Sequence, residues 1–366
     1  MNLVKLFFGL TVALFALILI VPVFVLALPF WLVRGMTGSI SGMLERRYLE
    51  WADLIEFDRH IGWRPKANLS SRHRADDIFS ISTDQYGWRG RASIDESDII
   101  VFGDSFAWGY GIDDQDYFAD LPANLHIKAV GTVGYNLVQE YLWMQKYSES
   151  LRGKLVVWLV FYGNDLIDNI MPDMCGYRTP FLRQSADKKD WAIETSHLSP
   201  SRWPLTPLRR QRGWHYLESL GELCGPSLLS DRSYSACEFI IRKGHQLCES
   251  VEAKLMILAL PEQNQLTEKG QTKLRNLRAR AASADTFDTN YPDKRLAEIC
   301  RKLGVSFVTT FELMPIECFK ETDCHWNKAG HKRFSDLLVE IHQGIGPIDA
   351  SASGLALAES MSVRDQ

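Results

Sequence analysis

The polarity pattern changes abruptly along the chain. Between Lys5 and Arg34, the run 6–33 contains no charged residue. A bilayer core takes roughly 20 helical residues, so this run predicts one N-terminal transmembrane helix with room to tilt. Pro22 and Pro29 would kink it or mark its end, which membrane helices tolerate. A cleaved signal peptide is the alternative, but its apolar region should run to only about 7–15 residues before a small-residue cleavage site. Residues 34–95 are mixed, with a helix predicted over 44–57 and then a turn-rich stretch holding Gly62, Pro65, Gly87 and Gly90.

From Asp98 the rhythm becomes regular. Short continuous apolar runs at 99–102, 127–130, 155–161, 255–260 and 305–309 suit parallel strands covered on both faces. Helical patterns lie between them at 137–147, 234–251 and 295–302, with a last one at 328–342. Strands alternating with helices predict an α/β fold: three layers, α/β/α, around a central parallel sheet. The organisation that follows is an anchor over 1–34, a lead-in segment over 35–95 packed on the main domain, a main domain over 96–345 and a small, polar tail over 346–366 expected to be disordered.

Two interruptions break the pattern. Residues 171–231 form an insertion with little periodicity that carries Trp191, Trp203 and Trp214. These rings pack the insertion onto its domain or, alternatively, stack on sugar rings. Residues 263–293 hold Lys269, Lys273, Arg275, Arg278 and Arg280, read as a solvated helix face with contact to anionic lipid headgroups as the alternative.

Composition narrows the function classes. The 366 residues are 46% hydrophobic and 23% charged, the balance of a globular protein with a sizeable core. A formal charge of −4 excludes nucleic acid as the main partner. The seven cysteines form no metal-ligand pattern. Cys318 and Cys324 either close a short disulfide loop, which requires an oxidising compartment, or are buried free thiols like the rest. His60, His73, His215 and His245 have no carboxylate or cysteine at metal-ligand spacing, so no metal is expected. Gly109 and Gly111 are too few for a phosphate cradle, and no cofactor is implied. Lys5 before the apolar run and Arg34, Arg46 and Arg47 after it leave the positive-inside rule nearly balanced; a periplasmic main domain is the orientation expected.

The chemistry concentrates where the predicted strands end. The first runs into Gly103-Asp104-Ser105, which delivers a hydroxyl to the carboxyl edge of the sheet, where open α/β sheets bind ligands. The second ends in Gly131-Thr132-Val133-Gly134 and the third in Tyr162-Gly163-Asn164-Asp165. Asp323-Cys324-His325-Trp326-Asn327 stands just before the last helix. A serine hydroxyl becomes a useful nucleophile when an imidazole takes its proton, and a carboxylate on the other ring nitrogen steadies the resulting charge. Asp104 is read as supporting its turn and His331 as a packing or surface histidine.

Taken in order, these clusters resemble the four blocks of the SGNH hydrolases, also called GDSL esterases, over roughly 57–344. Gly62-Trp63-Arg64-Pro65-Lys66, Tyr86-Gly87-Trp88-Arg89-Gly90 and Trp108-Gly109-Tyr110-Gly111-Ile112 are similar to stretches of membrane-anchored bacterial members. The resemblance implies Ser105 as nucleophile, His325 as general base and Asp323 as its orienting acid. It also implies an oxyanion hole from the backbone N–H groups of Ser105 and Gly134 and the Asn164 amide. Asp323 and His325 stand two apart where many members have three, as in variants involved in polysaccharide acetylation, and Ala129-Val130 replaces the asparagine common before the first glycine of the second block. The implied activity is that of a serine esterase on O-acyl groups, acetyl foremost, of a carbohydrate or surface polysaccharide. An O-acyltransferase using the same triad, working with membrane-bound acyl-transfer partners, a lysophospholipase or thioesterase, and a non-catalytic glycan-binding scaffold are the alternatives.

Overall fold

Continuous apolar runs become strands buried on both faces. In the computed structural model, Ile99–Gly103 (β1), Ile127–Gly131 (β2), Leu155–Phe161 (β3), Lys254–Leu260 (β4) and Ser306–Thr309 (β5) pair in the order β5-β4-β3-β1-β2, every neighbour parallel. The structure describes residues 53–74, 78–174, 177–187, 190–200, 208–282, 284–321 and 323–345, with the backbone alone at 208–215 and 284. The apolar run 6–33, most of the helix expected over 44–57, Cys175, Trp203 and the tail 346–366 lie outside the described residues, as do the side chains of Trp214 and His215. Among the described residues no helix is long and apolar enough to cross a membrane.

Alternate strand residues enter two different cores, as the period of two requires. Ile100, Phe102, Val156, Trp158 and Ile257 face one cluster, shared with Leu137–Lys146 (α2), Leu228–Ser250 (α5) and Tyr291–Leu303 (α7). Ile99, Val101, Val157, Leu159 and Leu258 face the other, shared with Ser105–Trp108 (α1) and Lys328–His342 (α8). Helices thus cover both faces of the sheet. Three further α-helices among the described residues are Asp165–Asp168 (α3), Leu208–Leu223 (α4) and Glu268–Ala281 (α6).

The boundaries differ from expectation mainly at helix starts. α5 begins at Leu228 because Ser227 caps it, its hydroxyl accepting the Ser230 N–H at 3.0 Å. α7 begins at Tyr291 with Pro292 in its first turn. The helix expected over 44–57 is corrected at its described end, where Ile55–Asp58 pairs antiparallel with Gly62–Pro65. A second hairpin joins Ser70–Arg74 to Ile78–Ser82. This lead-in belongs to the main core: Ile55, Ile61, Trp63, Trp88 and Ile94 are all buried in the first cluster.

The insertion contains two further hairpins, Asp173–Met174 with Tyr177–Arg178 and Phe181–Gln184 with Trp191–Glu194, followed by α4. Trp191 is buried and donates to Ser235 Oγ at 3.0 Å, so it packs the insertion onto the domain. In α6, Lys269, Lys273, Arg275 and Arg280 are exposed as expected, but Arg278 is buried. Its guanidinium donates to the carbonyls of Glu222 and Pro226 and to Thr286 Oγ1, fastening α6 to the end of α4.

Candidate active site

β1 delivers its serine through a turn with no spare room. A Cβ on Gly131 would lie 2.0 Å from the Gly103 carbonyl oxygen, so the ends of β1 and β2 meet at backbone distance. Asp104 then caps α1, its Oδ1 accepting the Phe106 N–H at 2.9 Å, which is the turn-supporting role expected of it. Gly109, in the left-handed region at φ 71°, ends that single turn. Ser105 is therefore the first residue of a rigid corner and is only 7% exposed.

The corner is braced from the lead-in. Arg89 is buried and donates to the carbonyls of Trp108 (3.2 Å), Gly109 (2.6 Å) and Ile112 (2.9 Å), while its charge meets Asp114 at 2.8 Å. Its guanidinium also lies 4.7 Å from the Tyr117 ring centroid. This brace was not assigned from the sequence, although Tyr86–Gly90 and Trp108–Ile112 both stood out there; their pairing is a through-space fact that no local spacing reveals.

His325 Nε2 lies 2.7 Å from Ser105 Oγ, and His325 Nδ1 lies 2.8 Å from Asp323 Oδ1. The imidazole is boxed by aromatic rings, with Phe106 at 5.0 Å and Tyr110 at 4.9 Å between centroids. Asn327, not His325, caps α8, its side chain accepting the Gly330 N–H at 3.0 Å. Burial pushes the Asp323 carboxyl up, but the hydrogen bond and charge of His325, with Cys324 and Lys320, outweigh it and leave it at about 2. Ser105, His325 and Asp323 thus form one hydrogen-bonded chain from hydroxyl to carboxylate.

The other two predicted residues come from neighbouring strand ends. Gly134 follows β2 with φ 75°. Asn164 follows β3 and donates through its amide to Asp165 Oδ1 at 3.1 Å, while Asp165 Oδ2 accepts the Phe161 N–H at 2.7 Å. Burial raises the carboxyl of Asp104, and raises those of Asp165 and Glu140 well above the usual range, with the Asp104 charge adding to both and the Glu140 charge adding to that of Asp165. Glu140 accepts from the Trp158 indole, deep beneath the strand ends. Sequence reading did not find this acidic cluster, because Glu140 sits in an ordinary helix pattern and only the fold turns it inward.

Cys318 and Cys324 are free thiols, so the disulfide considered for them is not formed. Cys324 Sγ instead lies 4.0 Å from His325 Nδ1. The donor atoms of Asp323, Cys324 and His325 fall within 4.8 Å of one another, as a metal set would. Both nitrogens of that histidine are already engaged, and burial and then the Asp323 charge push the Cys324 thiol well up. His331 is buried in an aromatic nest with Phe118 and Trp326, and desolvation keeps its ring neutral by lowering its pKa well below the usual value.

No protein-family model matches the chain, and no curated protein matches it. Among solved structures the chain is similar to the crystal structure of TesA, at 10% identity and a TM-score of 0.37, over 68% of this chain and 98% of that one. It is also similar to a candidate acylhydrolase from Bacteroides fragilis NCTC 9343, at 13% identity and a TM-score of 0.34, over 70% of this chain and 89% of that one.

Proposed function

We propose that this chain is an ester hydrolase of the SGNH type, acting through an acyl-enzyme on O-acyl groups, acetyl foremost, of a carbohydrate or surface polysaccharide. The observation that carries the reading is the 2.7 Å contact of His325 Nε2 with Ser105 Oγ, backed by the 2.8 Å contact of its Nδ1 with Asp323. A purely structural turn has no use for a nucleophile aligned with a base and its orienting acid, which also weighs against the scaffold reading.

In this mechanism His325 takes the Ser105 proton as Oγ attacks the ester carbonyl, and Asp323 steadies the imidazolium. The N–H groups of Ser105 and Gly134 and the Asn164 amide hold the developing oxyanion. His325 then returns the proton to the departing alcohol, leaving an acyl group on Ser105. Water, activated by the same imidazole, releases the acid; if a sugar hydroxyl arrives instead, the same site transfers the acyl group. The apolar run 6–33 supplies the membrane tether in this reading, with the hydrolase outside the cytoplasm.

The test is labelling of the full-length chain with a serine-reactive fluorophosphonate. Wild type should label and Ser105→Ala should not, at unchanged thermal stability; equal labelling of the two refutes the assignment. Release of acetate from acetylated glycans then checks the substrate class, and activity confined to lipid or thioester substrates counts against it.

A further inference from the structure

Residues 172–174 and 177–180 lie against the turn that carries Gly134. Asn136, two residues beyond that glycine and 1% exposed, donates to the carbonyls of Asp168 at 3.1 Å and Pro180 at 3.0 Å. The Thr179 N–H closes the base of the segment onto the Pro172 carbonyl at 3.1 Å, and the Thr179 hydroxyl donates to Gln139 Oε1 at 3.0 Å. From the lead-in, the Trp63 indole donates to the Val133 carbonyl at 3.3 Å and its ring packs 5.8 Å from that of Tyr177. So fixed, the segment lays the Met174 thioether along Gly134: a Cβ there would lie 2.3 Å from Met174 Cε and 3.0 Å from Sδ.

Which part of an ester meets this side chain follows from where the proton goes. A departing alcohol takes its proton from His325 Nε2, so the alcohol lies on the histidine's side of Ser105. The acyl substituent points the other way. His325 stands against Phe106 of the second core cluster, whereas Met174 packs against the first, across the sheet. In the strand order, β2, which delivers Gly134, lies beyond β1 from β5, which leads to the histidine loop. With the oxyanion on the Gly134 N–H, the acyl substituent lies on the same side of Ser105, where Met174 stands against Gly134.

We propose that Met174 is the end wall of the acyl pocket and restricts the site to short acyl groups of about acetyl size. The proposal rests on the hydrolase reading above and narrows it, because a wall at this place disfavours long-chain lipid and thioester substrates. The stretch is fixed at its far end by the buried Asn136–Pro180 hydrogen bond and closed on itself by the Thr179 N–H on the Pro172 carbonyl.

The test compares p-nitrophenyl acetate, butyrate and octanoate with the full-length chain, since the alcohol is then constant on the histidine side. Wild type should favour acetate over octanoate at least about 10-fold in kcat/KM, the discrimination a tight apolar pocket provides. Met174→Ala should raise octanoate turnover about 10- to 100-fold while acetate stays within about threefold, and Met174→Leu, which keeps the volume, should retain the wild-type preference. An unchanged chain-length profile in Met174→Ala, with Ser105 still labelled by fluorophosphonate, overturns the wall and leaves the hydrolase standing. Wild type that neither labels nor turns over any of the three esters overturns the hydrolase reading, and the wall with it.

Discussion

Asp323 reaches Nδ1 of His325 at 2.8 Å across a single intervening residue, Cys324. Two positions of chain suffice because the loop turns before α8, setting Asp323 on one ring nitrogen and Ser105 on the other. Asp323→Asn should keep the fold and lower kcat about 1,000- to 10,000-fold by favouring the wrong tautomer of the histidine. The same contact has a stability signature. The Asp323 carboxyl sits at about 2, below the usual value near 3.9, so its ionised form favours the folded state at every pH above about 4. That contribution fades as the pH falls from about 4 through about 2. Acid unfolding followed by circular dichroism should show this step in wild type and lack it in Asp323→Asn.

Asn164 is expected to serve the transition state more than the ground state. Asn164→Ala should lower kcat by about 100- to 1,000-fold with little change in KM, as the loss of one oxyanion donor does. Steady-state kinetics on a p-nitrophenyl ester measures this directly, and a change confined to KM would assign the amide to substrate binding instead.

Glu140 gives a pH dependence of the opposite sign. Burial, with the Asp104 charge adding to it, raises its carboxyl well above the usual range against the pull of the Trp158 hydrogen bond. The folded chain therefore holds a proton that the unfolded chain releases above about 4.3, and stability falls as the pH rises past that value. Glu140→Gln keeps an acceptor for the Trp158 indole and cannot ionise. Its stability relative to wild type should improve as the pH rises above about 4.3, read from urea midpoints.

Arg89→Ala leaves the carbonyls of Trp108, Gly109 and Ile112 without their donor, and each buried group left unpaired costs about 1–3 kcal/mol. A loss of at least about 3 kcal/mol is expected by urea unfolding, together with a fall in kcat as the Ser105 corner loosens. Arg89→Lys should rescue little, because an ammonium cannot span those carbonyls and Asp114 together.

The sheet was legible because β1 to β4 are buried almost throughout, and burial on both faces writes an unbroken apolar run into the sequence. Residues at strand ends were legible for a related reason: Gly103, Gly131 and Gly163 stand where a polar cluster replaces the run. The lead-in hairpins were not, since Ser70–Arg74 buries a single residue, His73, and reads as a polar loop. The helix face of α6 was read, but not the burial of Arg278, whose charge looks like surface until the carbonyls it serves are in place. Arg89, Glu140 and Met174 share that limit. Each matters through partners dozens of positions away or on another element, and local periodicity carries no trace of such pairing.

Ser105 and His325 are separated by 220 positions yet joined by one hydrogen bond. During synthesis the nucleophile leaves the ribosome long before its base exists, and the sheet that holds it can form in the interval. The Ser105–His325 contact consequently cannot form until residue 325 has emerged and α8 can close over the second core. In the hydrolase reading, a chain cut before Asp323 would keep all five strands and lack both the base and its orienting acid.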